Sequence, residues 1–359
     1  MQIVNKIQYL SKLRNYDVIF SDDLKIISNV INQADVYLII DRKVYDLYSC
    51  KLDITLPKDR IMFVDVSEDI KNIEFVMHIF KSIMQISAKK NIHLVSIGGG
   101  IIQDLSGFVA STLYRGVHWS YIPTTLLSLA DSCVGGKTSL NFSSFKNLIG
   151  TFYPPHEIII NAEFTQTLSD LDYYSGVGEV VKLHLNGGLD TANYFVSNLS
   201  QGVLQKNTKV IEASIRSCLS IKKSFIEEDE FDQGRRNMLN YGHCFGHALE
   251  TATKYLYPHG QAVVAGMIMS NFVSTSRGYI TNETEQRLLN DLLKPILKID
   301  ANVEINVHEL IMAMKNDKKR VGSGLPLIII KNDYSMMKLD DVTEVEANSA
   351  LSYFKKIFC

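Results

Sequence analysis

The chain has 359 residues, of which 46% are hydrophobic, and a formal net charge of −2. That length suits two domains and that composition a packed globular protein, while the near-zero charge removes any global pull toward nucleic acid or an anionic membrane. Its five cysteines are odd in number, widely spaced and without a Cys-x-x-Cys, which argues against a disulfide framework or a thiolate metal site and for a reducing, cytoplasmic setting.

Residues 36–40 form an apolar run that stops at Asp41, and 61–66 form another. Residues 73–88 place apolar side chains at helical spacing. Residues 93–97 read as a buried strand running into Gly98-Gly99-Gly100, and 102–113 as a helix with Asp104 in its first turn. A further strand, 119–122, ends at Pro123-Thr124-Thr125. Strand, crossover, strand is the pattern of a parallel sheet covered by helices. After residue 168 the pattern changes. Residues 169–185, 207–227, 238–255, 262–277 and 283–297 read as helices, and 326–330 as a strand or an extended tail. The expectation is an α/β domain at 1–168 and an all-α domain at 169–359, with polar loops at 231–234 and 315–324. No apolar run reaches the roughly 18 residues of a spanning helix, and the first residues show no secretory pattern.

Several stretches carry chemistry. Gly98-Gly99-Gly100, after a strand and before a helix, suits either a phosphate at a helix N-terminus or a plain tight turn. Asp41, at a strand end, suits a ribose hydroxyl or a solvated turn. Thr124 and Thr125 offer hydroxyls to a cofactor or to a helix cap. The run from Asp131 to Thr138 ends in Gly135-Gly136-Lys137-Thr138 but lacks the first glycine of a P-loop, which excludes that motif. It still presents Lys137 on a flexible turn, with Lys146 and Asn147 following, as a phosphate or carboxylate clamp. Glu179 and Lys182 lie three apart. His243 and His247 lie four apart, on one helix face, and His259 follows. Imidazoles with a carboxylate suit a divalent zinc-type ion, and on spacing alone both His243 and His247 would be ligands. Cys133 and Cys244 read as small space-fillers.

Taken in order, the stretches 96–112, 115–116, 123–127, 131–138, 146–150, 175–182 and 229–250, with His259-Gly260, resemble the sugar phosphate cyclase superfamily. Within it the likeness is greatest to the 3-dehydroquinate synthase family. Asp41, residues 68–71 and residues 317–319 are weaker echoes. The resemblance implies an N-terminal NAD-binding α/β domain and a C-terminal helical domain holding zinc, or cobalt in its place, with the active site in the cleft between them. It implies Glu179, His243 and His259 as metal ligands, with His247 facing the substrate instead. NAD would contact Asp41, Glu68, Lys71, Gly98, Gly99, Gly100, Asp104, Thr124, Thr125, Lys137, Lys146, Phe164 and Thr167. Lys137, Asn147, Lys182, Lys222, Arg236, Asn240, His247 and Lys318 would surround the substrate. Arg115 would serve the partner's site in a homodimer. Lys223 beside Lys222, and Lys319 beside Lys318, leave each register open by one; Arg235 reads as a surface residue.

The implied reaction is a phosphate-eliminating lyase reaction of the shikimate route to aromatic amino acids. It converts 3-deoxy-arabino-heptulosonate 7-phosphate to 3-dehydroquinate and phosphate through transient oxidation by NAD, β-elimination, reduction and intramolecular aldol closure. The implied partner is thus a small sugar phosphate, with no nucleic acid and no membrane. Two positions and one stretch depart from the family's usual pattern: Asp232 stands for glutamate, Gly178 for alanine, and 183–188 is unlike the usual continuation after the lysine. They leave open a sister cyclase acting on sedoheptulose 7-phosphate, glucose 6-phosphate or an amino analogue. Lys222, Arg236 and Asn240 argue against it, because they suit a substrate carboxylate that those sugars lack. An alcohol dehydrogenase of related fold is a third reading, disfavoured by the Lys137, Asn147 and Lys182 set.

Overall fold

The computed structural model describes residues 6–143, 145–299, 303–315 and 324–358. Lys318 and Lys319 lie outside the described residues. The chain divides into two units: one runs to Thr167 and takes in Ile226–Phe231, and the other comprises Leu168–Phe225 and the chain from Asp232 onward.

The first unit carries β1 (Lys6–Tyr9), β2 (Tyr16–Phe20), β3 (Val36–Asp41), β4 (Ile61–Val64), β5 (His93–Gly98), β6 (His118–Pro123), the hairpin β7 (Lys137–Phe142) and β8 (Phe145–Phe152), and β9 (Glu157–Ile160). All but the hairpin form one sheet in the order β1-β2-β9-β6-β5-β3-β4. Only β1 is antiparallel to its neighbour; the rest pair in parallel. Strand β3 is buried from Val36 to Ile40 and β5 along its whole length, as strands covered on both faces must be. Helices α1 (Lys25–Ile31), α2 (Arg42–Leu52), α3 (Ile73–Gln85) and α4 (Gly100–Thr112) connect them. Ile27, Ile31, Leu38, Ile40, Leu52 and Ile97 belong to one core cluster. From β3 the chain steps outward to β4, then returns to the other side of β3 as β5. The order therefore reverses between β3 and β5, whose carboxyl ends carry Asp41 and Gly98. Parallel sheets bind ligands at such a reversal.

The second unit is helical: α5 (Asp170–Asn186), α6 (Leu189–Tyr194), α7 (Ser200–Leu204), α8 (Thr208–Glu228, whose last turn belongs to the first unit), α9 (His243–Ala252), α10 (His259–Ser276), α11 (Asn282–Arg287), α12 (Val307–Lys315) and, after a strand pair, α13 (Glu344–Phe358). It is not purely α. Strands β10 (Leu325–Ile330) and β11 (Met336–Val342) pair antiparallel, and β10 is buried throughout. Helix α10 is buried on every side from Gly260 to Asn271, which makes it the axis of the unit, with α5, α9 and α13 packed on it. The expected helix at 238–255 is broken. A 3-10 turn, Arg235–Asn240, precedes α9, and Gly242 between them has φ +77°.

Glycines set how closely these helices approach. A Cβ on Gly266 would lie 2.0 Å from the Gly242 carbonyl oxygen, and one on Gly260 would lie 1.8 Å from that of Ser175. Backbone meets backbone at both crossings, so α9, at its first residues, and α5, along its middle, are drawn onto α10 beside the candidate metal ligands.

Candidate functional site

In the first unit, α4 begins directly after Gly98 and Gly99, so its free backbone N–H groups face the carboxyl edge of β5. A Cβ on Gly98 would lie 2.5 Å from Ile102 Cγ1, and one on Gly99 would lie 3.0 Å from Thr125 Cγ2. The turn thus needs glycine for packing, whatever it binds. Asp41 caps α2, its Oδ1 accepting the Lys43 N–H at 2.9 Å. Burial raises its pKa, with hydrogen bonds from Lys43 and Val44 opposing. Thr125 caps the next turn, its Oγ1 accepting the Ser128 N–H at 3.2 Å. Both residues take their structural roles, and each keeps further acceptor capacity.

A polar network lies alongside. Lys71 Nζ is 2.5 Å from Asp104 Oδ2 and donates to Asn147 Oδ1 at 2.6 Å. Ser139 Oγ lies 2.9 Å from Asp104 Oδ2 and 2.8 Å from Asn147 Oδ1. Asn141 Nδ2 donates to Glu68 Oε1 at 2.9 Å, and Lys146 Nζ is 3.7 Å from the same oxygen. Burial raises the Asp104 carboxyl, and Lys71 and Ser139 draw it back down. The β7–β8 hairpin supplies Ser139, Asn141, Lys146 and Asn147, and Asn147 reaches the network from a left-handed conformation, φ +52°. Lys137 is exposed at the start of β7. Phe164 is in the core, 1% exposed and edge-on to Tyr48, so its main chain alone could face a cofactor. Thr167 Oγ1 lies 3.1 Å from the Tyr48 hydroxyl. Arg115 is exposed beyond the far end of α4, whose 13 residues span about 20 Å. The structure therefore does not bring it to the cluster of its own chain.

In the second unit, Glu179 on α5 is 1% exposed. Its Oε1 is 3.4 Å from His259 Nε2 and 3.8 Å from His243 Nε2, and its Oε2 is 2.5 Å from Lys182 Nζ. Among the described residues, neither carboxylate oxygen accepts a hydrogen bond of regular geometry. The other imidazole nitrogens are engaged: His243 Nδ1 lies 3.2 Å from the Tyr241 carbonyl oxygen, and His259 Nδ1 lies 3.1 Å from Glu250 Oε2. Both Nε2 atoms therefore point toward Glu179. Burial, then Lys182 and the two other imidazoles, hold His243 well below its usual pKa and so neutral. Burial also lowers His259, but Glu250 and Glu179 outweigh it and raise the group to about 10. His247 is exposed, and its ring centroid is 5.3 Å from that of His243 and 5.5 Å from that of His259. Ligand nitrogens of His243, His247 and His259 all lie within 4.8 Å of one another. A buried carboxylate without regular hydrogen bonds, facing two oriented imidazoles, fits a divalent cation with N and O ligands. The geometry offers two such sets, His243 and His259 with either Glu179 or His247.

The remaining candidates belong to the same unit. Lys182, Lys222 and Arg236 are buried, at 2%, 7% and 4% exposure, whereas Arg235 is exposed and stacks over Phe225. Lys223 is only partly covered, so the buried position of the pair is Lys222. Asn240 Nδ2 donates to the Asn237 carbonyl within its own turn, at 2.8 Å. Sequence reading passed over Glu250, Ser139 and Asn141. Glu250 shows a signal in retrospect: with His243 and His247 it stands at i, i+4 and i+7, one face of α9.

Models of the 3-dehydroquinate synthase N-terminal and C-terminal regions match residues 61–175 and 176–320. A 3-dehydroquinate synthase of Dictyoglomus thermophilum is 34% identical over 321 residues, 89% of either chain. One from Clostridium tetani is 35% identical over 87% of this chain and 82% of its own. Among solved structures, the 2-epi-5-epi-valiolone synthase ValA of Streptomyces hygroscopicus, with NAD+ and Zn2+ bound, superposes with TM-score 0.84 at 22% identity, covering 98% of this chain and 99% of that one. A 2-deoxy-scyllo-inosose synthase complexed with carbaglucose-6-phosphate, NAD+ and Co2+ gives TM-score 0.82 at 21% identity, with the same coverage. The fold is that of the sugar phosphate cyclases. Within that class, the chain belongs to the 3-dehydroquinate synthase family.

Proposed function

We propose that this chain is a phosphate-eliminating lyase that converts 3-deoxy-arabino-heptulosonate 7-phosphate to 3-dehydroquinate and phosphate, the step its family name describes. Glu179, His243 and His259 are the residues that would hold a divalent cation, zinc or cobalt, and the Gly98–Gly100 turn with the Lys71–Asp104–Asn147 network would hold NAD. When bound, the cation supplies Lewis acidity toward an alcohol, and the nicotinamide accepts a hydride and returns it. The overall conversion is therefore redox-neutral: a C–O bond to phosphate breaks, and a carbon–carbon bond closes the ring.

The observation that carries this reading is Glu179, buried, with two imidazole Nε2 atoms turned toward it. The chain's own residues do the rest by charge and position. Lys182, Lys222 and Arg236 are buried cations and suit the substrate carboxylate and phosphate. Lys137 and Lys146 add positive charge at the hairpin. His247, exposed beside two ligands, is placed to exchange a proton with the sugar during ring opening. Holding the reacting carbons in line accounts for up to about 7–11 kcal/mol of barrier lowering. Arg115 is read as serving the partner site of a cytoplasmic homodimer.

The test is phosphate release by the purified protein with NAD and a divalent cation, offered the heptulosonate phosphate, sedoheptulose 7-phosphate and glucose 6-phosphate in parallel. The expected result is turnover of the first alone or far ahead of the others. Preference for a sugar without a carboxylate would overturn the substrate assignment and leave a sister cyclase. Net accumulation of NADH with a simple alcohol would overturn the cyclase reading altogether.

A further inference from the structure

We infer that Glu250 is a positioning residue that fixes the tautomer and direction of His259 and strengthens it as a metal donor. The inference rests on Glu179, His243 and His259 being the metal ligands.

Glu250 and His259 stand on different helices, α9 and α10, so their contact is made by tertiary packing. Glu250 Oε2 lies 3.1 Å from His259 Nδ1, and the Glu250 side chain is only 12% exposed. Once a cation takes Nε2, the His259 imidazole is neutral and carries one N–H. A carboxylate can only accept, so it selects the tautomer with the proton on Nδ1 and leaves the Nε2 lone pair free. Nε2 is the atom 3.4 Å from Glu179 Oε1. The same bond fixes the ring about χ2, which the partly open position of His259, at 35% side-chain exposure, would not do by packing alone.

The two imidazoles are not backed alike. His243 Nδ1 meets a neutral main-chain carbonyl, that of Tyr241, at 3.2 Å, whereas His259 meets a full negative charge. A carboxylate behind a ligating imidazole raises its basicity, and outer partners of this kind are worth 10–100-fold in metal affinity. The geometry also accounts for α9 carrying an acid at this position. Glu250 is on the face of the helix that presents His243 and His247, seven residues after the first.

The experiment measures zinc affinity of the metal-stripped, full-length protein by competition with a chromophoric chelator, for wild type, Glu250→Gln, Glu250→Ala and His243→Ala. The metal-free unfolding midpoint of each is recorded alongside. Affinity should fall in the order wild type, Glu250→Gln, Glu250→Ala, with the alanine variant weaker by about 10–100-fold at an unchanged metal-free midpoint. His243→Ala should lose the site. If the alanine variant does not fold, Glu250→Gln, which keeps the volume and an acceptor but not the charge, carries the test with an expected loss of about tenfold. Glu250 variants within twofold of wild type, with His243→Ala losing metal, would overturn the positioning role alone. Retention of metal by His243→Ala as well would overturn the ligand assignment beneath it.

Discussion

Gly266→Ala tests whether backbone contact between α9 and α10 sets the metal site. In an exposed helix this change would stabilise, because alanine is favoured over glycine by about 1 kcal/mol. Here the new methyl would lie 2.0 Å from the Gly242 carbonyl oxygen and 2.8 Å from the Gly246 nitrogen. An ordinary close carbon–oxygen approach is about 3.3 Å, so α9 must retreat by roughly 1 Å. The atoms in the way are backbone, which cannot rotate aside as a side chain would. Overpacking of this kind costs about 1–3 kcal/mol. With a rigid obstacle the upper end applies, which leaves a net loss of about 2 kcal/mol after the propensity gain. For a unit of this size that is a fall in Tm of about 4–8 °C. Gly242 immediately precedes His243, so the same shift displaces its Nε2 relative to His259. Metal–ligand distances tolerate only about 0.2 Å, so zinc affinity should fall by at least about tenfold. Calorimetry and chelator competition read the two effects. A variant with wild-type Tm and wild-type zinc affinity would show that the helices do not meet as described.

Three further outcomes are expected. His247→Ala should keep stoichiometric metal but lower kcat, whereas loss of metal would place His247 in the ligand set at the expense of Glu179. Lys71→Met leaves Asp104 facing a methyl group, and breaking such a buried pair costs about 3 kcal/mol. The only tryptophan, Trp119, lies buried in the first unit, so its fluorescence in urea reports the loss. The double variant Lys71→Met/Asp104→Leu should regain stability without regaining NAD affinity, and recovery of both would remove Lys71 from the cofactor site. Acid should weaken the first unit through a histidine stack at the amino edge of the sheet, where His93, His118 and His156 lie ring to ring at 4.3 and 3.7 Å. Burial, then His118, lowers His93 to about 4, and burial, then Arg14, lowers His156 to about 3. The unfolded chain takes up these protons near pH 6.5 and the folded one does not. Stability is therefore whole above 6.5 and lost as pH falls toward 4, by at most about 3 kcal/mol for His93. His93→Gln should flatten the Trp119 urea midpoint over that range, and an unaltered slope would refute the account.

What the sequence showed and what it hid follow from where each feature gets its stability. Strands β3 and β5 are buried on both faces, so they appear as unbroken apolar runs, and their ends at Asp41 and Gly98 could be read directly. The β7–β8 hairpin could not. Phe142, Phe145 and Leu148 are about half exposed, so its pattern does not alternate cleanly, and its residues drew attention as isolated clamps. The return of Ile226–Phe231 to the first unit was hidden because α8 is one continuous helix by pattern; the division is tertiary. Helix α10 was expected from residue 262 because Gly260 and Gln261 break its apolar run. Yet Gly260 is inside the helix for the same reason it is glycine, namely the Ser175 carbonyl against it.

The candidate metal site is likewise tertiary. On local spacing His243 and His247 are the natural pair, one turn apart on a single helix. Backbone crossings at Gly260 and Gly266 instead bring in an imidazole and a carboxylate from α10 and α5, neither of them near in sequence. A site built of Glu179, His243 and His259 would draw its precision from helix packing, with each donor a separate helix's contribution. It follows that glycines remote from any reactive atom should affect metal affinity as strongly as the residue behind a ligand does. Gly178 belongs to that seam: a Cβ there would lie 2.5 Å from the Gly260 carbonyl oxygen. Helix α5 therefore lies closer to α10 than a methyl group at Gly178 would allow, and the position of Glu179, the next residue, depends on that approach.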